Sequence, residues 1–256
     1  MQMRWFNILG CAVVAVACSM TAQGRASTVT YSVKFAATWS AATHPNAYPV
    51  GAHFSPLIGG VHSDQVSFWS PGSLASAGIE QMAEVGGTAN LRSEVQAAMA
   101  AGKASAVIQG SGIDSPGSTT VSIDVSSEFP LVTLVSMVAP SPDWFVGVHE
   151  LDLRDGDGWK NQVIVDLFPY DAGTENGVGF SLSNPDTVPR QPVGRLGFPF
   201  GVDDPRLGTF TFTRTSVPEP SAGVLMTAAA ALCGLRLRRR SELPGPSRFR
   251  SPQELR

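Results

Sequence analysis

Cysteine is scarce in this 256-residue chain, and all three cysteines (Cys11, Cys18 and Cys233) fall in terminal segments. Residues 27–215 hold none, which excludes a disulfide framework, a thiol nucleophile and Cys-ligated zinc from that stretch. An exported fold of this length needs no disulfide when its core is large. Positive charge is scarce there as well. Ser27–Thr215 carries nine Lys/Arg against eighteen Asp/Glu, a net of −9, while Arg236–Arg256 carries seven Arg against two Glu, a net of +5. The whole-chain value of −3 conceals this asymmetry. An acidic domain is repelled by phosphate backbones, so nucleic acid is excluded as a partner. The same charge suits cations, with a solvated acidic surface as the plainer alternative. No G-x-S-x-G elbow occurs in the central stretch, which removes the commonest serine-hydrolase signature. No internal repeat is present.

Long apolar runs occur only near the ends. Arg4 precedes an apolar stretch from Trp5 to about Met20, followed by small residues ending Gly24-Arg25-Ala26. That order predicts a secretory signal over residues 1–26. Ala17-Cys18 loosely matches a lipoprotein cleavage site, but Ala15-Val16 fits its upstream positions poorly. Near the other end, Val217-Pro218-Glu219-Pro220 leads into an apolar run, Ser221 to Leu235, and then Arg236, Arg238, Arg239 and Arg240. Prolines, an apolar helix and a basic cluster form a stop-transfer arrangement. The run is short against the roughly 20 residues that span a bilayer, and arginine snorkelling supplies part of the difference. Residues 216–240 resemble the PEP-CTERM sorting signal of Gram-negative bacteria, which implies processing by an exosortase and transient membrane anchoring. Residues 241–256 continue as a Pro/Arg-rich tail, which departs from that signal.

Between these segments, residues 27–215 read as one domain. Val29 to Trp39 places Tyr31, Val33 and Phe35 on one strand face, and Thr209 to Thr213 (TFTFT) alternates without a break. Further strands are expected at Thr119–Val125, Leu131–Val138, Trp144–His149, Gln162–Phe168, Val178–Ser183 and Leu207–Arg214. Two helices interrupt them. One is capped by Ser73, runs through Glu84 and closes at Gly86-Gly87; the other carries Leu91, Val95, Ala98 and Met99 at helical spacing and stops at Gly102. Asn184–Asp204, rich in Pro and Gly, reads as a long loop. Strands around a short helical insertion predict a mainly β fold, an antiparallel β-sandwich.

The acids that attract chemistry lie in two loops, Pro140–Gly147 (PSPDWFVG) and Pro169–Glu175 (PYDAGTE). If Leu131–Val138, Trp144–His149 and Gln162–Phe168 form a consecutive meander, parity puts Asp143 at one end of the sheet with Asp171 and Glu175. The same parity puts Asp155 and Asp157 at the other. Calcium takes six to eight oxygens from carboxylates, carbonyls and water, so three acids from two loops make a candidate metal site. Gly173 permits the tight turn this needs, and two prolines stiffen the approach to Asp143. A turn-stabilising role for each acid is the alternative, and the residues alone leave the two about even. Leu151–Gly158 lacks the downstream Glu and flanking helices of an EF-hand; its Asp-Gly pairs predict a hairpin turn. His44, His53, His62 and His149 match no short zinc motif and read as structural.

Longer motifs then tip the balance. Tyr31–Ser40 (YSVKFAATWS), Thr43-His44-Pro45, His53–Ser63 (HFSPLIGGVHS), Phe68-Trp69, Ala75–Ile79, Ala83–Gly86, PSPDWFVG, Trp159 and Val165-Asp166-Leu167 before PYDAGTE together resemble the spondin domain. The resemblance covers about Val29 to Arg214. It implies a C2-like antiparallel sandwich with bound calcium, used in extracellular-matrix adhesion. Its ligand positions fall on Asp143, Asp171 and Glu175, the last commonly Asp in the family. The expectation is a non-enzymatic, exported, calcium-binding module of a Gram-negative cell envelope, with an exopolysaccharide or surface protein as partner. The competing reading is a secreted carbohydrate-active hydrolase using paired carboxylates such as Asp171 and Glu175.

Overall fold

All nine residues of Leu131–Ala139 are buried, so both faces of this strand are covered. That single fact dictates a layered molecule, because an antiparallel strand with one wet face alternates instead. The computed structural model describes residues 28–200 and 206–215. The expected signal segment 1–26, the expected sorting segment 216–240, residues 241–256 and part of the long loop lie outside the described residues. The elements run β1 (Val29–Ala37), β2 (His53–Phe54), β3 (Ile58–His62), α1 (Ala77–Val85), α2 (Ala89–Ala100), β4 (Ala104–Gln109), β5 (Ile113–Asp114) and β6 (Gly117–Val125). They continue β7 (Leu131–Ala139), β8 (Trp144–Asp152), β9 (Arg154–Asp155), β10 (Gly158–Trp159), β11 (Gln162–Leu167), β12 (Tyr170–Asp171), β13 (Gly194–Arg195) and β14 (Gly208–Arg214).

A four-stranded antiparallel sheet, ordered β11-β14-β1-β6, faces a larger one in which β7 pairs with β8 on one side and with β2 and β3 on the other. Tyr31, Val33, Phe35, Phe210 and Phe212 project from the first sheet into the shared core, against Leu134, Val138 and Val146 of the second. The outward residues of β14 are the threonines of TFTFT, as the alternation predicts. Helices α1 and α2 cover the outer face of the second sheet, where Ile79, Met82, Leu91 and Val95 bury against Ile58, Val135 and Met137. Each such side chain contributes about 1.5–3 kcal/mol when fully buried. The fold is therefore a mainly β sandwich with two helices forming a third layer. Among the described residues, no helix is long and apolar enough to cross a membrane.

Several expectations need correction. The meander is not formed: β11 pairs with β14 in the first sheet, in register Val165↔Phe210, rather than with β8. Its outward Gln162, Ile164 and Asp166 suit a sheet with one solvated face. The Arg154–Trp159 hairpin, as the Asp-Gly pairs predict, carries the chain across. Val178–Ser183 forms no strand; Phe180 instead turns its ring onto Trp39, Trp144 and Phe200, with centroids 5.6–5.8 Å apart. The cap of α1 is Ser76, whose Oγ accepts from the Ile79 N–H, while Ser73 closes a turn with Ser70. Strand β13 and a bridge between Glu175 and Asp186 add local order to the Pro/Gly-rich loop.

Candidate functional site

Asp143 is fully buried at the end of the sandwich, in the connection from β7 to β8. Burying a carboxylate is costly unless donors surround it. Three do so at Oδ2: the Thr174 N–H at 2.7 Å, the Glu175 N–H at 3.1 Å and the Thr174 hydroxyl at 3.2 Å. The other oxygen, Oδ1, is buried and has no hydrogen-bond partner. Buried polar atoms are rarely left so, and an orphan carboxylate oxygen has the chemistry of an open ligand position.

Asp171 reaches the same place by a route that the meander did not supply. After β11 the chain returns to the second sheet, and β12 pairs directly with β8, setting Asp171 opposite Trp144. The Ala172 N–H donates to the Asp143 carbonyl at 3.0 Å, which ties the two loops together. Gly173 then turns with φ +74°, and its N–H donates to Asp171 Oδ1 at 2.8 Å. A Cβ on Gly173 would sit 2.1 Å from the Gln191 carbonyl, so only glycine allows this approach. Glu175 follows, its Oε2 accepting from Asn184 Nδ2 at 3.1 Å. The structure thus places Asp143, Asp171 and Glu175 at one end, and Asp155 and Asp157 in the hairpin at the other.

Electrostatics make Asp143 the hub. Burial and then the Asp143 charge push the Asp171 carboxyl up to about 6. Burial also raises Glu175, with Asp143 and Asp186 adding to it against the Asn184 hydrogen bond. A fourth acid, Glu84 at the end of α1, is raised by burial and by Glu80, Glu175 and Asp143, against a Thr174 interaction. Glu84 had no site role in the sequence, although it lies in one of the quoted motifs, Ala83–Gly86. Among the described residues, no three His, Cys, Asp or Glu side chains already converge at metal-binding spacing. What is present is one fixed, half-satisfied carboxylate with three acidic neighbours whose ionisation burial and neighbouring charge oppose.

A pH dependence follows. A folded-state value raised above the unfolded one means the native state holds the proton longer. The stability that Asp171 contributes is therefore fully present below the unfolded carboxylate range and is lost as pH rises from about 4 to about 6. Asp171→Asn should flatten this slope and stabilise the metal-free protein by about 1 kcal/mol above pH 6, allowing for solvent screening. Urea midpoints from pH 4 to 7.5 in chelator test it; an unchanged slope would contradict the assigned electrostatics.

The histidines are structural where the contacts are clear. His62 is fully buried, with Nδ1 at 2.8 Å from the Ser63 carbonyl and Nε2 at 2.8 Å from the Thr133 hydroxyl. The raised Asp171 meets one requirement of paired-carboxylate hydrolysis. However, the cavity of about 520 Å³ at this end is lined by Glu84 and Asp114, and neither Asp171 nor Glu175 lines it.

The Spondin_N family model matches residues 29–205. Human Spondin-2 is 40% identical over 171 residues, covering 65% of this chain and 52% of that protein. Rat Spondin-2 is 38% identical over 176 residues with the same coverage, and mouse Spondin-1 is 35% identical over 178 residues, covering 66% of this chain and 22% of the relative. The chain thus spans about half the length of Spondin-2 and less of Spondin-1. A match that runs from β1 through β13 and takes in both helices and the two acidic loops settles the family: this chain belongs to the Spondin_N family.

Proposed function

We propose that this protein is an exported, non-enzymatic matrix-binding or adhesion module whose acidic loops hold calcium. Asp143, Asp171 and Glu175 are the ligands in this reading. The observation that carries it is Asp143 Oδ1, a buried carboxylate oxygen left open beside an acid whose ionisation that same charge opposes. Bound calcium would neutralise this repulsion and draw the two loops together, with backbone carbonyls and water completing the shell. Glu175 has a longer arm than aspartate and would have to leave Asn184 to join. The ligand that the module then presents to is an exopolysaccharide or a surface protein.

Thermal unfolding of the protein in chelator and in millimolar calcium tests the site. A Kd on the order of 10⁻⁴ to 10⁻³ M suits an extracellular module. At ten times Kd the gain is about 1.4 kcal/mol. That is a rise in Tm of about 3–6 °C for a domain of this size. The rise should vanish in Asp143→Asn and in Asp171→Asn. No shift in a well-folded wild type sinks the calcium reading.

Sorting belongs to the same proposal. The Thr215 N–H donates to the Thr30 carbonyl, so the described chain enters and leaves the sandwich at the end away from Asp143. An anchor in residues 216–240 would therefore present the acidic loops outward from the membrane. Fusing residues 217–256 to a periplasmic reporter, in strains with and without an exosortase, tests the signal; equal processing in both rejects it.

A further inference from the structure

The cavity of about 520 Å³ beside the acidic loops has a composition that the calcium reading does not use. Its apolar lining comes from Phe54, Ile113, Met137 and Ala139, with Ser55 and His53 as the neutral polar residues beside them. Its rim carries two exposed aliphatic side chains, Val85 (70% exposed) and Leu182 (59% exposed). Its formally charged lining residues are both acids, Glu84 from α1 and Asp114 from β5, and neither forms an ion pair among the described residues. The size falls within the roughly 300–1,000 Å³ of ligand-binding pockets.

We propose that this cavity binds a lysine- or arginine-bearing segment of a partner polypeptide. A basic side chain has an aliphatic stem and a cationic head, and the two halves need different surroundings. Met137, Ala139 and the Val85–Leu182 rim cover the stem, while Glu84 and Asp114 receive the head by charge-assisted hydrogen bonds. The alternative occupants fit less well. A neutral glycan offers hydroxyl donors but no counter-charge to the two carboxylates, and an anionic one is repelled by them and by the −9 domain. An apolar peptide would desolvate two acids with nothing to pair them. This inference names the partner class within the adhesion reading and so rests on it, but it does not rest on calcium.

The cavity borders the acidic loops, since Glu84 interacts with Thr174, the residue whose N–H and hydroxyl hold Asp143. A divalent cation there would lower the negative potential over the pocket, so basic-segment affinity should be modestly weaker in calcium than in chelator.

Fluorescence anisotropy with the full chain and a labelled hexalysine peptide tests the proposal. Binding should weaken about five- to tenfold in Glu84→Gln and in Asp114→Asn, and severalfold in Leu182→Ser, while Asp155→Asn in the distant hairpin leaves it unchanged. Acetylating the lysines should abolish it. Equal loss in Asp155→Asn, or no loss in the pocket variants, would mean diffuse attraction to an acidic surface and overturn the proposal. A hexamer of glucosamine that binds more tightly than hexalysine, with the same variant pattern, would overturn it in favour of a cationic polysaccharide. Failure of the calcium-induced rise in Tm with hexalysine binding intact would reject the metal site alone.

Discussion

Gly59→Ala should cost this domain most of its stability, about 4 kcal/mol or more, in a range that few single substitutions reach. Gly59 lies in β3 between β4 and β7, opposite Ile108 and Leu134. A Cβ there would lie 1.9 Å from the Thr133 carbonyl oxygen and 2.8 Å from its carbon. The obstacle is backbone of the central strand, buried on both faces, so it cannot step aside without breaking its pairing with β3 or β8. Its neighbour separates this mechanism from ordinary crowding. At Gly60 the new Cβ meets Val95 Cγ1 at 2.9 Å, a side chain of α2 that can shift with its helix. Gly60→Ala should therefore cost roughly 1–3 kcal/mol, as overpacking usually does. Gly179, with nothing within 4 Å, is the control and should change stability little on substitution by Ala. Chemical denaturation of the three variants gives the order; a Gly59→Ala midpoint near wild type would mean that β3 does not sit against β7 as described.

The same strand shows where the sequence stops being readable. β1 and β14 were legible because one face is wet: Tyr31, Val33, Phe35, Phe210 and Phe212 alternate with Ser, Lys and Thr. β3 (IGGVH) is buried throughout and two of its five residues are glycine, so it has neither alternation nor strong strand propensity. Its conformation is set by α2 and β7, which lie far from it in sequence. The very short β2 and β5 carry no periodic signal either. Topology misled in a different way. Sequential strands usually pair, and the Arg154–Trp159 hairpin gives no hint that β11 has crossed to the other sheet. Asp171 still met Asp143 because β12, only two residues long, pairs with the start of β8. The acids could be gathered from motif and parity, but Thr174, which holds Asp143, and Glu84, which feels it, became visible only through tertiary contact. A threonine inside a loop and a glutamate at a helix end announce nothing by themselves.

Asp143 itself should give opposite results depending on what replaces it. Asp143→Ala removes the acceptor for the Thr174 N–H, the Thr174 hydroxyl and the Glu175 N–H at once. Two backbone donors are then stranded near a buried site, and the loss should be about 3–4 kcal/mol, with the Asp171–Glu175 loop loosened. Asp143→Asn keeps an oxygen for those donors and puts an amide N–H where Oδ1 stood. That group carries no charge to oppose Asp171, so Asp171 should ionise more readily, and the metal-free protein should be as stable as wild type or slightly more so at neutral pH. In calcium the ranking should invert, because wild type gains ligand-binding free energy and the asparagine variant gains none. A site in which Asp143 were only a loop brace would not invert: alanine would destabilise, asparagine would be tolerated, and calcium would leave both curves where they were. Urea midpoints of the three proteins, each in chelator and in 5 mM calcium, distinguish the brace from the ligand, because only a ligand makes the neutral, well-folded asparagine variant the less stable protein once the ion is present.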